Sequence, residues 1–141
     1  MEIEVMRERA LQLGRREAIL RLQDAIIREG RDVGPASCPV KHHFAPGSYG
    51  REMTLPVGMV VVGKIHRHAH INVISKGRVQ VFTEQAGVLE LAAPCTFVSS
   101  PGTKRVVHVL EETVWTTVHV TDKTDLAEIE REVIATDFSE V

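Results

Sequence analysis

GKIHRHAHINVISKG, residues 63–77, decides the reading of this chain. His66, His68 and His70 stand at every second position, among the β-branched Ile65, Ile71, Val73 and Ile74. Successive side chains of an extended strand point to opposite faces, so this alternation predicts three imidazoles on one face. Such a face is either a polar, water-filled lining or a set of metal ligands, since neutral imidazole readily binds divalent transition metals.

Outward from this stretch, short β-rich runs alternate with turn signals. The expected strands are 49–55, 58–65, 69–75, 77–84, 87–92, 95–99, 104–110 and 113–121. Pro46-Gly47, Lys76-Gly77, Pro101-Gly102 and Glu111-Glu112 are among the turns that separate them. Many short strands at this spacing predict an all-β sandwich or barrel. Residues 2–30 read instead as a helix, rich in Glu, Arg, Leu and Ala. Its apolar stripe runs Met6, Ala10, Leu13 and then Ile19, Leu22, Ile26, with a bend or break expected at Gly14 and an end at Gly30 and Gly34-Pro35. After Thr124, TDLAEIEREVIA predicts a second helix, with Asp125 and Glu128 as its capping pair. Three segments follow: a helical arm over 1–35, a β-barrel over 36–121 and a C-terminal helix and tail over 122–141.

The totals set limits on function. A chain of 141 residues suits one core, and a net charge of −2 predicts no general attraction to nucleic acid or anionic membranes. The arginines of the first helix are nearly cancelled by its acids, and no aromatics interleave them, which argues further against nucleic acid. No apolar run reaches the ~18 residues of a membrane span. The start, MEIEVMRERALQLGRR, lacks the apolar core of a secretory signal, and Cys38 and Cys95 are too few for a disulfide scaffold. A cytoplasmic protein with reduced thiols is expected.

Two stretches resemble the motifs of the small single-domain cupins, and the resemblance covers roughly residues 38–121. Gly63–Gly77 is similar to the first motif, in which histidines and a carboxylate line a strand before a glycine turn. APCTFVSSPGTKRVVHV, residues 93–109, is similar to the second, in which a Pro-Gly turn precedes a ligand histidine. The resemblance implies a mainly β fold, the cupin double-stranded β-helix or jelly-roll barrel, with the site inside it. HHFAPGSYGREMTLPVG, SPGTKRV and TVWTTVH further resemble short, uncharacterised cupins of phage and prophage genomes. That narrower likeness implies a virion-associated location and a virion or assembly partner as an alternative role.

The chain departs from the cupin pattern. Counted back from Gly77, the carboxylate position falls on His70, the second histidine on His66 and the first on Lys64. A second register pairs His66 with His68 and puts Asn72 near the carboxylate slot. In the second motif the ligand histidine is replaced by Arg105, whose guanidinium stays protonated and is no ligand.

His119, at the end of TVWTTVH, is the expected replacement. A hairpin turning near Leu110–Glu112, with Val109 facing Val114, would set Lys104 opposite His119 and close the site. His66, His70 and His119 are then the candidate ligands, with His68 as a further one and His42 and His108 behind them. Zinc, iron, manganese or nickel suits such a set. Arg105 either neutralises a small anionic ligand or pairs with Glu52 or Glu84, and Asn72 offers a hydrogen bond in the pocket. Trp115 and Phe97 are expected in the core, and Tyr49-Gly50-Arg51-Glu52 as strand packing with a surface ion pair. Two functions from different classes follow. One is a metal-binding cupin acting on or binding a small anion. The other is an interaction module using the first helix for homo-oligomerisation or docking.

Overall fold

The computed structural model describes residues 2–28 and 38–140. Helix α1 spans Glu2–Arg28. Strands β1 (Val40–Ala45), β2 (Ser48–Leu55), β3 (Val60–Val62), β4 (Ile65–His66), β5 (His70–Thr83), β6 (Gly87–Ala92), β7 (Cys95–Ser99) and β8 (Arg105–Val120) follow. Helix α2 (Leu126–Val133), strand β9 (Ile134–Ala135) and a 3₁₀ turn at Phe138–Glu140 end the chain.

The strands form the expected barrel, though two pairs of predicted strands are fused. The runs 69–75 and 77–84 are one strand, β5, and 104–110 and 113–121 are one strand, β8. β5 and β8 lie antiparallel along their whole length and form the spine. β2 flanks β8 at one end and β3 at the other, while β7 and β6 divide the far side of β5 between them. The hairpin expected at Leu110–Glu112 does not exist. Both halves of β8 find partners on β5, so the strand runs through Glu111-Glu112. β1, unpredicted, is an edge strand joined to β2 by a turn at Pro46-Gly47.

Gly77 makes the long spine possible. His70, Asn72 and Ile74 face inward at even positions, whereas Val79, Val81 and Thr83 do so at odd ones. The register against β8 slips between Ile74 and Val79, and this bulge moves the apolar set back to the inner face. Gly77 sits within it at φ +91°, and a Cβ there would collide with the Glu112 carbonyl and Thr113. Below the bulge lies the core of Ile74, Val79, Val81, Val107, Val109, Trp115, Leu55 and Cys38.

Helix α1 runs unbroken through Gly14. Little of its apolar stripe is covered: Ile19 is 1% exposed, while Met6, Leu13 and Leu22 face solvent. Docking rests on Ile19 and on Arg16, which forms a forked ion pair with the buried Glu84 at 2.5 and 2.9 Å. Arg16 also lies 3.9 Å from the centre of the Phe138 ring, and Arg15 donates to the Glu84 carbonyl at 2.9 Å. The expected end of this helix at Gly30 and Gly34-Pro35, the boundary at 35/36 and the side chain of Ile26 lie outside the described residues. α2 starts where predicted, with Asp125 accepting from the Glu128 backbone N–H, but ends at Val133: Ile134 and Ala135, expected in the helix, form β9 and pair with β4.

Candidate metal centre

The inner faces of β2, β8, β5 and β7 align in cross-strand rows. Tyr49 pairs with His119, and His70 with Ser99. His70 continues the Ile71–Val118 register one step, opposite His119. The next row is Arg51, Thr117, Asn72 and Phe97, and the next Met53, Trp115, Ile74 and Cys95. A histidine row, a polar row and an apolar floor thus lie one above another in the barrel.

The third histidine comes from outside these rows. His66 is in β4, which pairs with β9 through Ile65–Ala135 and His66–Ile134. The Gly102 N–H donates to the His66 carbonyl at 2.9 Å, so the Pro101-Gly102 turn also holds this strand. The ring centroids of His66, His70 and His119 are 4.3, 4.9 and 5.3 Å apart. Each offers a nitrogen, and these three atoms lie within 4.8 Å of one another.

The triad has the chemistry of a ligand set. His66 Nδ1 and both nitrogens of His70 are buried without a well-formed hydrogen bond, although the His68 backbone and the Asn72 side chain lie near enough to His70 to oppose part of the effect of its burial. Leaving buried polar atoms unpaired costs about 1–3 kcal/mol each, and a bound cation would satisfy one nitrogen of each ring. Burial, with the neighbouring His70 and His119 and the Arg105 charge, pushes His66 down to about 3. Burial and His70 push His119 down to about 4, and burial lowers His70 as well. All three rings are therefore neutral at pH 7, the form that binds a metal. Thr117 Oγ1 is 3.1 Å from His119 Nε2 and orients that ring. Tyr49 stacks on its other side, with centroids 6.2 Å apart, and hydrogen-bonds His42 Nδ1 at 2.7 Å. Ile129, Val133 and Ile134 close over Tyr49, so the C-terminal helix and β9 cap this end of the barrel.

His68 does not join them. The chain bends at residues 67–69, because Arg67 N–H donates to the Val133 carbonyl and β4 pairs with β9 instead of running on into β5. The period-two alternation is broken there, and His68 is exposed. His66 and His70 therefore belong together, as the first register has it. Tyr49, not Lys104, lies opposite His119. Lys104 is buried, with its ammonium depressed by that burial and sensing Asp24 of α1. His108 is exposed on the outer face of β8, and His42 serves Tyr49.

Asn72 and Arg105 sit in a polar chain beneath the triad. Trp115 Nε1 donates to Asn72 Oδ1 at 3.0 Å, Asn72 Nδ2 donates to Ser99 Oγ at 2.7 Å, and Arg105 donates to the same hydroxyl. The guanidinium lies 5.4 Å from the Phe97 ring centre and 5.9 Å from that of Trp115, within cation–π reach. The expected partners of Arg105 are both engaged elsewhere, Glu84 by Arg16 and Glu52 by His43. Among the described residues Arg105 has no carboxylate, and burial lowers it to about 10. Tyr49, Ser99, Thr117 and Arg51 went unrecognised as site residues. The alternation Tyr49-x-Arg51-x-Met53-x-Leu55 was the signal for the first and last of these. A shallow depression lined by Lys123, Glu128, Arg131 and Glu132 involves none of the triad.

No family model matches this chain, and no curated protein matches it. Solved structures do. An RmlC-like cupin family protein with a double-stranded β-helix fold, from Methanocaldococcus jannaschii, aligns over 60% of this chain and 81% of its own, with 12% identity and a TM-score of 0.51. KdgF from Halomonas sp. aligns over 67% and 87%, with 20% identity and a TM-score of 0.53. Ectoine synthase from P. lautus aligns over 72% and 75%, with 10% identity and a TM-score of 0.57. These likenesses show the fold: the barrel is a cupin double-stranded β-helix. Among the described residues no helix is long and apolar enough to cross a membrane.

Proposed function

We propose that this cupin barrel binds one divalent transition metal on His66, His70 and His119, and uses it to bind or act on a small anionic molecule. The observation that carries this reading is the triad of neutral imidazoles, two buried and His66 partly so, with orphaned buried nitrogens. Zinc, iron, manganese and nickel all accept such a donor set. When bound, the metal supplies a Lewis acid that polarises an oxygen placed on it. The chain's own groups do the rest. Thr117 and Tyr49 hold the His119 ring in place. Arg105, held by Ser99 and without a carboxylate among the described residues, offers its charge to an incoming anion. The α2–β9 cap packs on Tyr49 and holds β4, which carries His66.

The test is elemental analysis of untagged protein purified without chelator, beside His70→Ala and His119→Ala. One metal per chain, lost in both variants, is the expected result. No metal, and no uptake of added Zn²⁺, Fe²⁺, Mn²⁺ or Ni²⁺, would overturn the reading.

A second reading is a module that docks through α1, on another copy of the chain or on an assembly partner, which the phage-type resemblance would make a virion component. Ile3, Val5, Met6, Leu11 and Leu13, all exposed on this helix, support it. Mass in solution, measured for the chain and for a Met6→Glu/Leu13→Glu variant, tests self-association. A shift from oligomer to monomer is expected, and an unchanged mass would count against it.

A further inference from the structure

Of the three histidines, His66 alone stands off the spine of the barrel. His70 and His119 lie in β5 and β8, strands of 14 and 16 residues that pair along their length. His66 lies in β4, which forms a separate two-stranded sheet with β9 through the pairs Ile65–Ala135 and His66–Ile134. Two strands of two residues each are not stable by themselves, so other contacts must hold them together. The Gly102 N–H holds β4 from one side. On the other side the holding falls to the last residues of the chain.

Arg67, the residue after His66, makes three of these contacts. Its backbone N–H donates to the Val133 carbonyl at 2.8 Å, its Nε donates to the Ile134 carbonyl at 3.0 Å, and its Nη2 meets Glu140 Oε2 at 2.9 Å. Glu140 also accepts from the Thr136 N–H at 2.8 Å and from the Thr136 hydroxyl at 2.7 Å, which closes residues 136–140 into a loop beside β9. Phe138, in the same 3₁₀ turn, lies with its ring centre 3.9 Å from Arg16 of α1. That guanidinium is itself fixed by its fork to Glu84. A run of contacts thus leads from the helix to the triad: Arg16 touches Phe138, Glu140 two residues on holds Arg67, and Arg67 adjoins His66 in the chain.

We propose that residues 134–140 are a strap that transmits the seating of α1 to His66, so that the site holds its metal tightly only while α1 lies on the barrel. Arg67, Phe138 and Glu140 are then positioning residues, since none belongs to the triad. This deepens the metal reading above by naming what regulates the site, and it rests on that reading. A partner that draws α1 away would loosen the ion. By linkage, a bound ion holds α1 down by the same factor.

Zinc is the probe, because it accepts a set of imidazoles. Its affinity for the full chain is measured by chelator competition, with zinc content determined on the same samples. The seating of α1 is measured by the rate of tryptic cleavage within residues 2–28, with and without saturating zinc. Phe138→Ala and Glu140→Gln should each weaken zinc about tenfold while one ion per chain is still reached at saturation. Phe138→Tyr keeps the ring and should stay near the parent. Zinc should slow cleavage of α1 about tenfold in the parent and not in Phe138→Ala or Glu140→Gln. A tail that served stability alone would not make α1 respond to zinc. Unchanged zinc affinity in both variants overturns the proposal, as does α1 cleavage in the parent that ignores zinc; if a variant fails to fold, the parent's response decides. Zinc bound without this coupling leaves the metal reading standing alone, and no zinc uptake by the parent overturns both.

Discussion

His70 and His119 face each other across β5 and β8, with ring centroids 4.9 Å apart, although 48 residues of chain separate them. Neither nitrogen of His70 makes a well-formed hydrogen bond, and the proposed cation would give one of them a partner. His70→Ala and His119→Ala should each abolish metal binding, whereas His68→Ala, at an exposed position outside the triad, should retain one metal per chain. Plasma mass spectrometry of the three proteins decides between this triad and the His66/His68 pair.

Metal-free protein should lose stability as pH falls through 6.5. His66 and His119 titrate near 3 and 4 in the folded chain but near 6.5 when unfolded. Below pH 6.5 the unfolded state takes up protons that the folded state refuses, so their contribution is fully present above 6.5 and declines toward 4. Each histidine should cost about 1.4 kcal/mol per pH unit within that window. Urea titrations at pH 7.0, 6.0 and 5.0 check this, and a His66→Gln/His119→Gln variant should flatten the slope.

Gly77→Ala should destabilise the barrel by about 3 kcal/mol or more, since it combines a positive φ with a collision against the Glu112 carbonyl. Gly14→Ala is the control: its Cβ would meet nothing within 4 Å, and the helix should gain about 1 kcal/mol at most. Chemical denaturation of both variants provides the comparison. Equal stabilities would contradict the β5 bulge.

Arg16→Ala should loosen α1. It leaves the Glu84 carboxylate, whose side chain is 5% exposed, without its fork. The loss should be about 2 kcal/mol, below that of a fully buried pair because Arg16 is itself partly exposed. Limited proteolysis should then cut within residues 2–28 earlier than in the parent chain, while the barrel fragment persists. An unchanged digestion pattern would show that Ile19 alone seats the helix.

Much of this was legible before any coordinates. Period-two runs and turn signals located six of the seven strands of the barrel sheet, and the capping pair located the start of α2, because these patterns are read over a few neighbouring residues. β1 escaped because VKHHFA is an edge strand, with five of its six residues exposed and no apolar alternation to mark it. The hairpin at Glu111-Glu112 was wrongly expected because a charged pair reads locally as a turn. In the barrel both glutamates sit on the outside of a continuous strand, where Glu112 pairs with Lys76.

The sequence by itself determined the β class, the turn glycines, and the candidacy of His66, His70, His119 and Arg105, since side-chain chemistry and local period are properties of short stretches. Only the tertiary structure decided which histidines meet. β9, nearly seventy residues away, pulls β4 aside and turns His68 to solvent. The β2–β8 register puts Tyr49 against His119 and Arg51 against Thr117. The engagement of Glu52 and Glu84 elsewhere leaves Arg105 without an acid among the described residues. Each of these outcomes is set by pairing between distant segments, and a strand's own alternation says which residues share a face without naming the strand they will meet.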